Sequence, residues 1–173
     1  TTTFIDPDDP ENFSKAVQEN TRAFFAESLG NPKLDVLDLK AISANAKKAK
    51  VPFVVDNTVA TPALLNPIAH GANIVIHSLT KYISGNGTSM GGIIIDAGTF
   101  DWGNGQFPEF TTPSPSYHGL NYHEALGAIA FIARVRVEGL RDLGSAPSPF
   151  NSFQVLQGLE TLQVRMAQHS STA

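Results

Sequence analysis

The chain has 173 residues, 42% hydrophobic and 16% charged, with a formal net charge of −4 and no cysteine. That length supports one domain with a sizeable core, while a charge content below the usual ~25% points to surface buried against further chain or partner subunits. The acidic balance without a basic tract argues against nucleic-acid and membrane-surface partners, no apolar run approaches the ~18 residues of a spanning helix, and the lack of cysteine excludes a disulfide scaffold, thiolate metal ligands and a cysteine nucleophile.

The opening TTTFIDPDD has neither a basic start nor an apolar stretch, so it does not read as a signal peptide. It lacks an initial methionine and reads as the end of a strand, residues 2–5, closed by Asp6-Pro7, so preceding chain is expected. PENFSKAVQEN, with Phe13, Ala16 and Val17 spaced on one side, predicts a short helix. TRAFFAESL predicts a short buried strand, broken by Gly30-Asn31-Pro32. VLDLKAISANAKKAK predicts a helix with apolar Leu37, Ile42, Ala46 and Ala49 and lysines gathered at its C-terminus, where they complement the dipole.

VPFVVD is a continuous apolar run, the pattern of a strand covered on both faces. Thr61-Pro62 opens a helix expected to run through Ala69 and stop at Gly71. NIVIHS and GGIIID are the next strands. The alternation of strands and helices predicts an α/β fold with a mostly parallel sheet. GTFDWGNGQFPEFTTPSPSYHG reads as a long surface excursion, with Trp102 and its phenylalanines packing the loop or a neighbouring subunit. A long helix is expected to follow and end at Gly144, then a second one entered through Ser148-Pro149.

Ligands of open α/β sheets bind beyond the carboxyl ends of the strands. Three polar clusters fall there: Glu27 to Asn31, Asp56-Asn57-Thr58, and Ser78, Thr80 and Lys81. Each has an ordinary reading. Asp56 or Thr58 suits the N-cap of the following helix, Ser78 and Thr80 suit strand-end backbone bonding, and Lys81 suits a snorkelling surface position. Together they suit pyridoxal 5'-phosphate: a lysine amine for the aldehyde, a carboxylate for the ring nitrogen, hydroxyls for the phosphate. His77, His118 and His123 form no metal-ligating pattern, so no metal is expected, and the glycines of GNG and MGG lack a nucleotide-loop spacing.

The stretch VPFVVDNTVATPALLNPIAHGANIVIHSLTKYISGNGTSMGG resembles the cofactor-binding core of the Cys/Met-metabolism family of pyridoxal phosphate enzymes. The resemblance rests on D-N-T at Asp56-Asn57-Thr58, S-x-T-K at Ser78-Leu79-Thr80-Lys81, and E-S-x-x-N-P from Glu27 to Pro32, and it covers essentially the whole chain. It implies the central part of the large domain of a fold-type I, aspartate-aminotransferase-like enzyme, with helices on both faces of the sheet. Residues 1–147 would belong to that domain and 148–173 would lead toward a C-terminal one. Lys81 would be the Schiff-base lysine and proton shuttle, Asp56 the ring-nitrogen partner, and Ser78 and Thr80 phosphate ligands. Asn31 would bond near the phenolic oxygen or the substrate carboxylate, and Glu27 would order the site.

GNGTSMGG, FDWGNGQFPEF and RDLGSAPSPFNSFQVLQGLETLQVRM are similar to the branch that uses O-acetylhomoserine. The implied reaction is γ-replacement, O-acetylhomoserine plus sulfide giving homocysteine and acetate, in a cytoplasmic homo-oligomer, a dimer of dimers. Cystathionine γ-synthesis, use of the succinyl ester and γ-lyase chemistry are the alternatives within the family. A catalytically inactive folding or assembly unit is the alternative outside it. The resemblance places the family's phosphate loop, its ring-stacking tyrosine and a tyrosine–arginine pair lent by a neighbouring subunit before residue 1. It places the arginine for the substrate carboxylate after residue 173.

Overall fold

Strands β1 (Phe24–Glu27), β2 (Phe53–Asp56), β3 (Ile74–Ser78) and β4 (Gly92–Asp96) lie side by side in that order in the computed structural model, which describes residues 1–173. The first three are parallel and β4 is antiparallel to β3, which gives the mostly parallel sheet expected. Between β1 and β2 runs a helix; between β3 and β4 the chain doubles back over the strand end, so β4 returns in the opposite sense.

The first face of the sheet is covered by α1 (Glu11–Lys15) and α2 (Leu39–Ala49). The side chain of Asp38 accepts a hydrogen bond from Ala41 N–H at 3.0 Å and so caps α2, and Lys50 closes it in a left-handed conformation. Leu39, Ile42 and Ala46 then point one way and bury against Phe53 and Val55, while Phe13 of α1 packs on Phe24 with ring centroids 5.2 Å apart. Residues 2–5 form no strand, against expectation. β-branched composition supplies no ladder partner, and Phe4 stands in solvent. β1 is likewise not fully buried: Phe24 and Ala26 face the core, but Phe25 is 57% exposed.

After β2, α3 (Thr61–Leu64) is shorter than the helix predicted through Ala69. Pro67 holds Asn66 in an extended conformation, which breaks the helix, and a separate 3₁₀ turn, Pro67–His70, follows before Gly71 at φ 95°.

The excursion is not a surface loop: its aromatics pack it together, as expected, and form a second core against the sheet. Trp102, Phe107 and Phe110 are buried, and Trp102 stacks on Phe131 with centroids 5.0 Å apart and planes 8° off parallel. Together with α4 (Pro108–Thr111), α5 (Tyr122–Leu126) and α6 (Ala130–Arg134) they cover Val54, Ile74 and Ile76, the other face of the sheet. The long helix predicted through this region is broken at Gly127, whose φ of 51° and ψ of −120° no helix accommodates; a π-helical stretch, Val135–Asp142, extends α6. Ser148 caps α7 (Pro149–Glu160) by accepting from Asn151 N–H at 3.1 Å, as its sequence predicts, and α8 (Leu162–Thr172) follows after a break at Thr161. Val155, Leu162 and Met166 of these helices pack on Ile83, just past the end of β3.

Candidate active site

The carboxyl ends of β1, β2 and β3 are in register, with Glu27 beside Asp56 and Asp56 beside Ile76. The ladder continues one residue further on each strand: Ser28 N–H donates to Asp56 O and Asn57 N–H to Ile76 O, both at 2.9 Å. The side chains beyond that point therefore emerge from a fixed edge.

Asp56 is half-buried, and the one hydrogen bond its carboxylate receives from the chain runs from Thr58 N–H to Oδ1 at 2.9 Å. The Thr58 hydroxyl oxygen in turn accepts from Ser78 N–H at 2.8 Å. Neither residue caps α3, whose N-cap, Ala60, receives no side-chain bond. The ordinary capping role is thus overturned: Asp56 Oδ1 is engaged by the Thr58 amide and the Thr58 hydroxyl by the Ser78 amide of the next strand.

Asn57 was legible only as the middle of a triplet, and it is the hub of the edge. It is fully buried; its Oδ1 accepts from Ser28 Oγ at 2.7 Å, and its Nδ2 donates to Thr61 O at 3.1 Å and Leu65 O at 2.9 Å. These bonds hold Thr61 at φ 60°, a left-handed conformation that strains a β-branched residue by about 1 kcal/mol. His77 is buried with Nδ1 3.1 Å from Asn57 O. A carbonyl only accepts, so Nδ1 carries the proton in that contact. Burial pushes the His77 pKa down, against the opposing pull of the Asn57 carbonyl and the Asp56 charge, and favours the neutral ring.

Lys81 lies in a π-helical turn, Leu79–Ile83, directly after β3. Its backbone (φ −92°, ψ −128°) departs from the helical path of its neighbours, and the residue is exposed at the strand edge. The two hydroxyls beside it differ. Ser78 Oγ makes no bond to the chain, whereas Thr80 Oγ1 accepts from Gly91 N–H at 3.1 Å and donates to Gly91 O at a long 3.4 Å, which pins the glycine-rich loop. Asn31 lies past the same end of β1, its N–H donating to Glu27 Oε2 at 3.0 Å and its side chain exposed.

This donor set fits pyridoxal phosphate. There is a primary amine for an aldehyde, a carboxylate with one oxygen fixed by the chain and the other unclaimed, and an uncommitted hydroxyl for a phosphate oxygen. The histidines play no comparable part, and no cluster of His, Asp and Glu is arranged to hold a metal ion.

An amine, a carboxylate and hydroxyls on adjacent strand ends of an α/β sheet are the groups a pyridoxal phosphate enzyme needs. The chain belongs to the Cys/Met metabolism PLP-dependent enzyme family, whose model matches residues 1–173. It is 59% identical to the O-acetyl-L-homoserine sulfhydrylase of Leptospira meyeri, over 98% of this chain and 40% of that protein. It is 49% identical to the enzyme of the same name from Corynebacterium glutamicum, over 96% and 39%. Among solved structures it superposes on a Campylobacter jejuni protein assigned as an O-acetylhomoserine (thiol)-lyase, with a TM-score of 0.90, 44% identity and 97% and 42% of the two chains covered. That protein contains N'-pyridoxyl-lysine-5'-monophosphate. The chain thus spans about two fifths of the length of these relatives.

Proposed function

We propose that this chain carries the lysine-bearing core of an O-acetylhomoserine sulfhydrylase, which replaces the acetate of O-acetylhomoserine with sulfide to give homocysteine and acetate. The observation that carries the reading is the pairing of the Asp56 turn with the strand end that leads into Lys81, through Thr58 and the Ser78 amide. Identity of 59% to a sulfhydrylase supports the substrate assignment within the family.

When bound, pyridoxal phosphate supplies an electron sink for the charge left at Cα. Lys81 holds the cofactor through its amine. With its amine free, Lys81 would be placed to take the proton from Cα and to carry the proton at Cβ in a replacement that exchanges acetate on Cγ for sulfide. Asp56 would face the ring nitrogen with its carboxylate and favour a proton there. Ser78 donates to a phosphate oxygen. Thr80 joins it by giving up its long bond to Gly91 O, keeping the one it accepts from Gly91 N–H. Asn31 reaches in from the β1 end toward the phenolic oxygen or the substrate carboxylate, and Glu27 holds its loop in place.

Residues 1–147 form part of the large domain in this reading, and α7 and α8 lead toward a further domain. The exposed Phe150, Phe153, Leu156 and Val164 on those helices support their burial against additional structure. The full-length enzyme is read as a cytoplasmic homo-oligomer; no helix of the chain is long and apolar enough to cross a membrane. Assay of the full-length enzyme with the acetyl and succinyl esters, each with and without sulfide, tests the substrate. Homocysteine and acetate in equal amounts, only with sulfide and preferentially from the acetyl ester, support the proposal. Keto acid and ammonia without sulfide mark a lyase instead.

A further inference from the structure

One guanidinium grips the turn that carries Lys81. Arg165 on α8 donates from Nη1 to Tyr82 O at 2.7 Å, from Nη2 to Ile83 O at 3.3 Å and Gly158 O at 2.7 Å, and from Nε to Thr161 Oγ1 at 3.1 Å. Every acceptor is neutral, and Arg165 takes part in none of the chain's ion pairs. The turn closes through Ser84 N–H to Leu79 O and Gly85 N–H to Lys81 O, which leaves the carbonyls of Tyr82 and Ile83 as the end-of-helix acceptors that need an outside donor.

Two glycines make this contact possible. A Cβ at Gly85, which has φ 70°, would lie 2.7 Å from Nη1 of Arg165, and one at Gly158 would lie 2.0 Å from Ser84 O. The backbone of α7 therefore touches the turn directly, over the apolar cluster of Ile83, Val155, Leu162 and Met166.

We infer that Arg165 is a positioning residue for Lys81, a clamp that fixes the carbonyl end of the lysine-bearing turn so that the amine meets the cofactor aldehyde in one orientation. The inference rests on the reading of Lys81 as the anchor lysine. A lysine at 165 cannot replace the clamp, because a single ammonium lacks the planar fork that reaches separate carbonyls at once.

The test uses the full-length enzyme, stripped of cofactor and reconstituted with pyridoxal phosphate. Lys81 labelling is followed by borohydride trapping and peptide mapping, and amide exchange across residues 79–91 by mass spectrometry. Arg165→Ala and Arg165→Lys both slow Lys81 labelling and speed exchange at Ser84 and Gly85 by about tenfold, the loss expected of charge-assisted bonds. Gly85→Ala, which crowds the guanidinium while leaving α8 intact, reproduces the local pattern in milder form if Arg165→Ala does not fold. Wild-type labelling and exchange in Arg165→Lys and Gly85→Ala overturn the clamp. So does an Arg165→Ala protein that exchanges faster everywhere yet labels Lys81 at the normal rate. A wild-type label that maps to another lysine overturns the anchor assignment and this role with it.

Discussion

The hydroxyl of Thr58 accepts the Ser78 amide at 2.8 Å, which joins the turn that orients Asp56 to the strand end that launches Lys81. An acid at the end of β2 and an amine in the turn that follows β3 are thereby tied to neighbouring strand ends, which the sheet ladder holds in register. Precise placement of this kind is what electrostatic stabilisation of a developing charge requires.

Asp56→Asn preserves the acceptor for Thr58 N–H, so the fold and the strand-end turn survive. The ring nitrogen loses its counter-charge, and removal of the Cα proton slows by about 10²–10³-fold, the scale of losing one preorganised charge-stabilising group. The check is Cα proton exchange with solvent by the full-length variant, with unfolding measured alongside. Normal exchange rates contradict the assignment of Asp56.

Asn57→Ala acts on the fold first. It leaves the Ser28 hydroxyl and the Leu65 carbonyl without the partner they have now, while the Thr61 carbonyl keeps only the Leu65 N–H at 3.2 Å. A loss of about 3 kcal/mol is expected, since each unsatisfied buried group costs on the order of 1–3 kcal/mol. Denaturant titration measures it. A change below 1 kcal/mol, about the worth of one ordinary hydrogen bond, contradicts the hub role.

His77 sets a pH dependence. Burial lowers its pKa in the fold below the ordinary histidine value of 6.5, so below about that pH the unfolded chain binds more protons than the folded one. Its contribution is fully present above 6.5 and is lost as pH falls from there toward the lowered folded value. His77→Gln keeps a donor for Asn57 O and removes the titration. Stability measured between about pH 5 and pH 8 declines less steeply on the acid side in the variant.

Asp96 has the opposite sign. It lies at the far end of the sheet, opposite Ile74, with Oδ1 accepting from Gly98 N–H and Oδ2 buried without a partner. Burial raises its pKa, against the Gly98 amide, so the fold favours the protonated form and its stability falls as pH rises through the folded pKa. Asp96→Asn raises the urea midpoint at about pH 7.5, and the gain shrinks toward about pH 4. A gain that is constant with pH contradicts this account.

The parts legible in the sequence were those fixed by local chemistry. VPFVVD and NIVIHS announced buried strands, Ser148-Pro149 announced a capped helix, and spacing put Asp56 and Lys81 at strand ends. The rest depended on tertiary partners. GTFDWGNGQFPEF looks like a loop by its glycines and prolines, yet Trp102, Phe107 and Phe110 find one another and make a core; clustered aromatics were the available signal. The helix through residue 127 failed because a single glycine takes a conformation that apolar spacing cannot foresee. Asn57 and Arg165 were hidden because a polar residue's role as a buried hub or a carbonyl clamp is set by which backbone groups lack partners, and that exists only in the folded chain.

Borohydride reduction of the full-length holoenzyme, followed by peptide mapping, tests the central assignment most directly. The account predicts one stable pyridoxyl label, on Lys81, abolished in Lys81→Ala while Asp56→Asn still accepts it. A label on any other residue, or a labelled Lys81→Ala protein, contradicts it.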